Sequence, residues 1–266
     1  MQPDTLNIAV LISQGQHPVS GRARRAHQDA CALELAMSLN ESLPQSLNSK
    51  VSAIHAGDPK QEALRDYLGM GIDGLTVLNQ TEEDDALAVL TPYLSEQQPD
   101  ILLTGVRAEY GEGSGLLPYL LAERLGWPLV TGIAVIESIE NGEASLLQAL
   151  PRGQRRRLRV KLPFVASVES AAAEPRQIAF AKARRGNIVR LTPATEADQQ
   201  RAEWTLSAAK SRPKRLKVST AKTAADRLKQ ATAKAQGGKG QIIRNDPQAA
   251  AKAIFDLLVE EGVLRK

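Results

Sequence analysis

The residues best suited to hold a ligand run from Leu102 to Gly115, reading Leu-Leu-Thr-Gly-Val-Arg-Ala-Glu-Tyr-Gly-Glu-Gly-Ser-Gly. An apolar strand feeding a loop of small residues and then a helix start presents unpaired backbone N–H groups and a positive dipole end. That is how α/β proteins commonly receive a phosphate. On this reading the backbone of Gly113, Ser114 and Gly115 takes the phosphate, with Gly105 and Glu112 in the same loop and Arg107 as a charged partner. Gly and Ser also punctuate ordinary turns, so a plain turn with an exposed Arg107 is the competing reading.

The chemistry that is missing narrows the function. There is no nucleophile elbow, no Walker A loop, no metal-ligand spacing and no acid pair at a defined separation. Ser114 follows Gly113 without the strand pattern of an elbow, and His17, His27 and His55 lie far from it in sequence. The glycines also lack the spacing of a Rossmann fingerprint, which argues against NAD or FAD bound by that route. Cys31 is the only cysteine, so an internal disulfide and a multi-thiolate metal site are both excluded. No catalytic residue and no metal ligand is assigned, and hydrolysis by the chain alone is not expected.

The elements that must position this loop are legible as a repeat. Leu6–Ile12 is a short continuous apolar run, the look of a buried parallel strand. Helical spacing from Asp29 to Leu39 follows a long loop, then a strand at Lys50–Ala56, a helix from Asp58-Pro59 to Gly69 and a strand at Gly74–Leu78. A helix at Ala86–Leu94 and a strand at Ile101–Thr104 complete the series. We therefore expect an α/β fold, a doubly wound and mostly parallel sheet with ligands outside the carboxyl ends of its strands.

After Gly126-Trp127-Pro128 the pattern changes to strands at Thr131–Ser138, Ala144–Leu150, Arg155–Leu162 and Phe164–Glu169. The turn at Asn141-Gly142 is a hairpin signal, so antiparallel strands are expected to extend one edge of the sheet. Arg155, Arg156, Arg157 and Arg159 fall on one of them, either as a solvated face guarding an edge or as a docking patch. From Thr192 the chain is polar, and between Ala209 and Gly240 ten Lys/Arg face the single acid Asp226. That segment carries +9 of a total of +4, which leaves −5 for the rest. The arm could track phosphates or lie on an acidic protein surface, but it lacks aromatic stacking platforms, and nucleic acid is not the expected partner. Asp246 as N-cap, Pro247 at the first helical position and Ala250, Ile254, Leu257 and Leu258 on one stripe describe a terminal amphipathic helix. The expected division is an α/β domain over residues 1–191, a polar and basic arm over 192–240 and, over 241–266, a helix docking on a partner or on the domain. With no apolar span and no secretory layout at its start, the chain is expected in the cytoplasm, without membrane insertion.

Several segments together resemble the beta subunits of electron transfer flavoproteins. They are the opening strand, Asp29-Ala30-Cys31-Ala32-Leu33-Glu34-Leu35-Ala36, Ala63-Leu64-Arg65-Asp66-Tyr67-Leu68-Gly69-Met70-Gly71-Ile72-Asp73 and Gln98-Pro99-Asp100-Ile101-Leu102-Leu103-Thr104-Gly105. Further along come Ala122-Glu123-Arg124-Leu125-Gly126-Trp127-Pro128, Leu162-Pro163, Glu174-Pro175-Arg176 and Lys182-Ala183-Arg184-Arg185. Their order and spacing cover roughly residues 6 to 190.

The resemblance implies an adenine-nucleotide-binding type of fold and a heterodimer in which an alpha subunit holds most of a redox FAD. The beta subunit packs around it and binds a structural AMP, or a second FAD in bifurcating relatives. Such a carrier takes electrons from flavin dehydrogenases and passes them toward a membrane quinone reductase. Carried over by position, the nucleotide site uses Leu11, Ala26, His27, Gln28, Asp29, Ala56, Gly57 and the loop from Gly105 to Gly115. This chain departs from the family at Ala26-His27-Gln28, where Asn-Pro-Phe is usual, and at Tyr110-Gly111-Glu112 and Gly115-Leu116. The family docks its electron partners on a loop after Glu-Pro-Arg, here Gln177-Ile178-Ala179-Phe180-Ala181, which makes Ile178 or Phe180 the candidate anchor. Both could equally be core residues under a short connection. A stand-alone adenine-nucleotide-binding regulatory module of the same fold is the alternative function.

Overall fold

In the computed structural model the described residues are 5–43, 48–205, 207, 223–225, 228, 243 and 246–260. Strand β1 (Thr5–Leu11) is covered on both faces: Leu6, Ile8 and Val10 point into one core and Ala9 and Leu11 into another. Such two-sided burial is why the run is continuously apolar rather than alternating. β1 pairs in parallel with β4 (Asn48–Gly57) on one side and with β6 (Ile101–Gly105) on the other. β5 (Gly74–Asn79) lies outside β4.

Helix α1 (His27–Ser42) and the short α2 (Arg65–Leu68) cover one face, while α3 (Ala86–Gln97) and α4 (Leu117–Leu125) cover the other. This is the doubly wound arrangement. The helix expected from Asp58-Pro59 onward is shorter than its pattern suggests. A single 3₁₀ turn at Glu62–Leu64 runs into the one-turn α2, which Gly69 closes. α3 is capped by the Asp85 side chain, which accepts from Leu87 N at 2.9 Å.

Beyond β6 the chain forms β7 (Leu129–Glu140), β8 (Glu143–Ala149) and β9 (Arg155–Lys161), each antiparallel to the next, with β9 at the edge of the sheet. The fourth segment of that region does not join them. β10 (Phe164–Val168) returns between β6 and β7 and is parallel to both, with all five residues buried. Its unbroken apolar run with no exposed position is the mark of an interior parallel strand rather than an edge. Two elements have weak sequence signals. The hairpin of β2 (Gln14–Gln16) and β3 (Ala23–Arg25) folds part of the long loop before α1, and β11 (Asn187–Leu191) adds a parallel strand outside β5 after the short α5 (Phe180–Arg185). The nine-stranded sheet thus runs β11-β5-β4-β1-β6-β10-β7-β8-β9.

The chain divides into two compact units after Thr205. Residues past β11 remain with the first unit, because Asp85 N donates to Glu196 O and Asp198 N to Glu83 O, at 2.8 and 2.9 Å, ahead of the one-turn α6 (Gln199–Ala202). Most of the basic arm at 209–240 lies outside the described residues. In the second unit α7 (Pro247–Glu260) begins as its sequence predicts: the Asp246 side chain accepts from Gln248 N and Ala249 N, and Pro247 opens the helix. Ile254, Phe255 and Leu257 are exposed.

Candidate nucleotide site at the switch point

Having passed from β1 to β4 and β5, the chain crosses back to β6 on the other side of β1. The strand order therefore reverses between β1 and β6, which makes the region outside their carboxyl ends the switch-point crevice of the fold. In open α/β sheets this is where ligands bind.

Asp29, in the first turn of α1, closes the floor of the crevice. Its carboxylate is 5% exposed and accepts from Ser13 N at 2.7 Å and Ser13 Oγ at 2.5 Å, just past β1, and from Gly105 N at 3.1 Å, at the end of β6. One side chain thus ties together the two strand ends at which the topology switches. Burial pushes the carboxyl up to about 7; the Ser13 and Gly105 hydrogen bonds oppose this and the nearby Glu109 charge adds to it. Only glycine fits at 105, since a Cβ there would overlap the Asp29 carboxylate.

A second tie comes from α2. The Tyr67 hydroxyl, completely buried, accepts from Ala26 N at 2.9 Å and donates to Ser13 O at 2.8 Å. His55, on β4, shares a 2.8 Å hydrogen bond between Nδ1 and Ile12 O, and burial lowers its pKa. Its ring lies over Gly57, where a Cβ would approach Nε2 to 2.5 Å. Neither tie is readable from spacing, because Tyr67 and His55 sit in apolar patterns that look like core.

The loop after β6 reaches back to α1. Glu109 Oε1 accepts from His27 N at 2.7 Å and Oε2 pairs with Arg24 at 3.1 Å. At the far end of the loop Ser114 Oγ hydrogen-bonds Glu112 and accepts from Leu116 N at 3.2 Å. Gly113 and Ser114 are exposed and Gly115 is half-buried. Gly115 takes φ 75°, and a Cβ there would approach Val106 O to 2.9 Å.

The structure therefore gathers Ala26, His27, Asp29 and Gly105 around the crevice, with the Gln28 Cβ close to Gly105. It places Gly113, Ser114 and Gly115 at the outer end of the loop. Ala56 and Gly57 stand at the end of β4, next to β1. The Leu11 side chain is instead buried in the core beneath α3 and α4, which leaves only its backbone to the crevice. Arg107 is exposed and forms no ion pair among the described residues. Sequence reasoning missed Ser13, Arg24 and Tyr67 as site residues, and it included Glu109 only as part of the Gly105–Gly115 loop, without a role of its own. Their only signal is the small, polar and aromatic character of the segments that carry them.

The loop bearing Ile178 and Phe180 is fastened from both ends. Arg176 makes a multidentate pair with the buried Glu34 at 2.8–3.1 Å and reaches Glu41 at 2.8 Å, while its carbonyl accepts from Arg25 at 3.1 Å. Ala179 N donates to Gly69 O at 2.9 Å. Ile178 is 41% exposed and packs on Gly69, where a Cβ would overlap its side chain; Phe180 is 73% exposed, with the Arg184 guanidinium 5.8 Å from its ring. The four arginines of β9 are all exposed; Arg157 pairs with Glu137 at 2.7 Å and Arg156 hydrogen-bonds Gln148 at 2.7 Å. Among the described residues no group of three His, Cys, Asp or Glu could hold a metal ion, and no helix is long and apolar enough to cross a membrane.

Fold and crevice together define a doubly wound α/β protein with a ligand crevice at its switch point. The electron transfer flavoprotein domain family matches residues 23–196. The chain is 48% identical over 274 positions to the electron transfer flavoprotein subunit beta of Chromohalobacter salexigens, covering 100% of both chains. It is 25% identical over 160 residues to a probable electron transfer flavoprotein subunit beta of Saccharomyces cerevisiae, covering 58% of this chain and 60% of that one. The chain belongs to the electron transfer flavoprotein family, on its beta-subunit branch.

Proposed function

We propose that this chain pairs with an electron transfer flavoprotein alpha subunit to form a carrier whose FAD is held mostly by the alpha chain. The carrier takes electrons from flavin dehydrogenases and passes them toward a membrane quinone reductase, in the cytoplasm, while the beta chain makes and breaks no bonds itself. The observation that carries this reading is likeness to a beta subunit along the whole chain, including the basic arm and terminal helix. A stand-alone nucleotide module would have no use for that extension.

Within the carrier the crevice between β1 and β6 receives an adenine nucleotide. Ala26 to Asp29, Ala56, Gly57 and the Gly105–Gly115 loop rim it, and Arg107 supplies charge at its outer end. Phe180 is the anchor presented to the dehydrogenase, because it projects from a fastened loop, and Ile178 is the residue that seats that loop on Gly69. The basic arm and α7 extend onto the alpha chain, whose surface supplies the apolar cover that Ile254, Phe255 and Leu257 need.

Gentle purification of the tagged chain from its native host, followed by an absorbance spectrum, tests the reading. A yellow complex containing a second, larger chain is expected. Recovery of a colourless lone monomer would sink it.

A further inference from the structure

β9 is the last strand of the sheet and pairs with β8 alone among the described strands. The hydrogen bonds that frame this pair fix which backbone groups are left over. Leu162 N donates to Gly142 O at 3.0 Å past one end, and Leu150 N donates to Gln154 O at 2.9 Å past the other. Bonded and non-bonded pairs alternate along an antiparallel ladder, so Arg156, Leu158 and Val160 turn their N–H and C=O groups to β8. Arg155, Arg157, Arg159 and Lys161 turn theirs to the open edge. The side chains of these four are exposed and share one face of the strand, while Leu158 and Val160, on the other face, pack into the core that α1 covers. Arg157 pairs with Glu137 at 2.7 Å; Arg155, Arg159 and Lys161 form no ion pair among the described residues. Like charge on an edge strand deters pairing with a second copy of itself, and by the same physics it selects a strand of opposite charge. A continuous anionic surface fits less well. Glu137, Glu140 and Glu143 line one groove with Arg157 and Arg159, so a lipid surface or nucleic acid laid on this face would meet carboxylates, whereas a single strand along β9 meets the cations.

We propose that the β9 edge takes up an extended segment of a partner protein in which acidic and apolar residues alternate, added antiparallel as a further strand of the sheet. Residues of that segment opposite Arg155, Arg157, Arg159 and Lys161 exchange backbone hydrogen bonds with them and direct their side chains to the same face, where carboxylates meet the cations as cross-strand pairs. The residues between them point to the other face, beside Leu158 and Val160, and apolar side chains there prolong the core. Alternation is thus specified from both faces. The backbone bonds supply affinity and the alternate side chains supply selection.

The test is a titration of the purified full-length chain into a fluorescent peptide, Glu-Val-Glu-Val-Glu-Val-Glu, followed by anisotropy. Two further peptides separate strand addition from attraction to the basic arm: Glu-Glu-Glu-Glu-Val-Val-Val, with the same charge but no alternation, and the alternating peptide N-methylated at every glutamate, which cannot donate to the edge. Wild type is compared with the double variant Arg155→Glu, Arg159→Glu and with the milder Arg155→Gln, Arg159→Gln, and circular dichroism melts establish that each is folded. Both control peptides are expected to bind wild type about tenfold more weakly than the alternating one, and the double glutamate variant should weaken the alternating peptide by about tenfold, with the glutamine variant in between. Hydrogen exchange over residues 155–161 should slow when the alternating peptide is bound. Equal binding of the three peptides, or unchanged binding by both variants, would overturn strand addition in favour of charge attraction elsewhere on the chain. No binding to wild type would also overturn the proposal, and self-association of the glutamine variant alongside it would leave the arginines as an edge guard alone.

Discussion

Two carboxylates on α1 respond to pH in opposite senses because their surroundings differ. Asp29 is held by neutral donors in a buried crevice, and burial raises its carboxyl from 3.8 to about 7. The native state therefore keeps a proton that the unfolded chain releases, and this contribution to stability, fully present below about pH 4, is lost as pH rises through about 7. Glu34 is buried too, but the Arg176 guanidinium outweighs that burial and lowers its carboxyl below 4.5. Its contribution is present above that value and fades as the solution is acidified through the lowered native pKa. Each tenfold difference in proton affinity between the native and unfolded carboxyl is worth about 1.4 kcal/mol, so Asp29 should make the protein about 2 kcal/mol less stable at pH 8 than at pH 5. Urea denaturation at the two pH values checks this, and Asp29→Asn should flatten the difference; a slope unchanged in the variant would show that Asp29 is not its source. Arg176→Met leaves Glu34 buried without its partner. The expected loss is about 2 kcal/mol at pH 7, low in the range for buried pairs because Arg176 is about one-third exposed.

At the scale of elements, the loops at the strand ends are fastened to the sheet by specific contacts. Gly105 ends β6 against Asp29, so Gly105→Ala forces either the carboxylate or the strand end to move. A loss of about 2 kcal/mol is expected from such overpacking, read as a lower urea midpoint with an unchanged slope. The loop after Arg176 allows its two apolar residues to be separated. Phe180→Ala should slow electron delivery from the dehydrogenase several-fold and leave the melting temperature unchanged. Ile178→Ala, which empties the seat on Gly69, should lower the melting temperature. The reverse pattern would assign the anchor to Ile178. Much of this was legible in the sequence. The apolar runs of β1, β4, β5 and β6 read as buried strands because both of their faces are covered, and Asp246-Pro247 announced α7 because capping is local chemistry. The hairpin β2–β3 escaped because three-residue strands carry no period. β10 was placed with its antiparallel neighbours because a five-residue run specifies burial without specifying direction.

At the scale of the whole molecule, the division after Thr205 separates a sheet domain from an extension. A chain ending at residue 205 should retain the cooperative unfolding of the sheet domain, with a melting temperature within a few degrees of the full chain, and should fail to co-purify with the alpha subunit. Co-purification of the shortened chain at wild-type yield would show that the extension is not needed for pairing. The sequence by itself determined the doubly wound class and the family. Those depend on periodicity, on capping and on short motifs kept in order, all of them readable within a few residues. Only the tertiary structure decided that Asp29 joins Ser13 to Gly105 and that Glu109 closes on His27 and Arg24, contacts that bring together residues as many as 85 positions apart. A buried carboxylate takes whichever donors the fold brings within about 3 Å, and that proximity is set by the crossover of the chain from one side of β1 to the other.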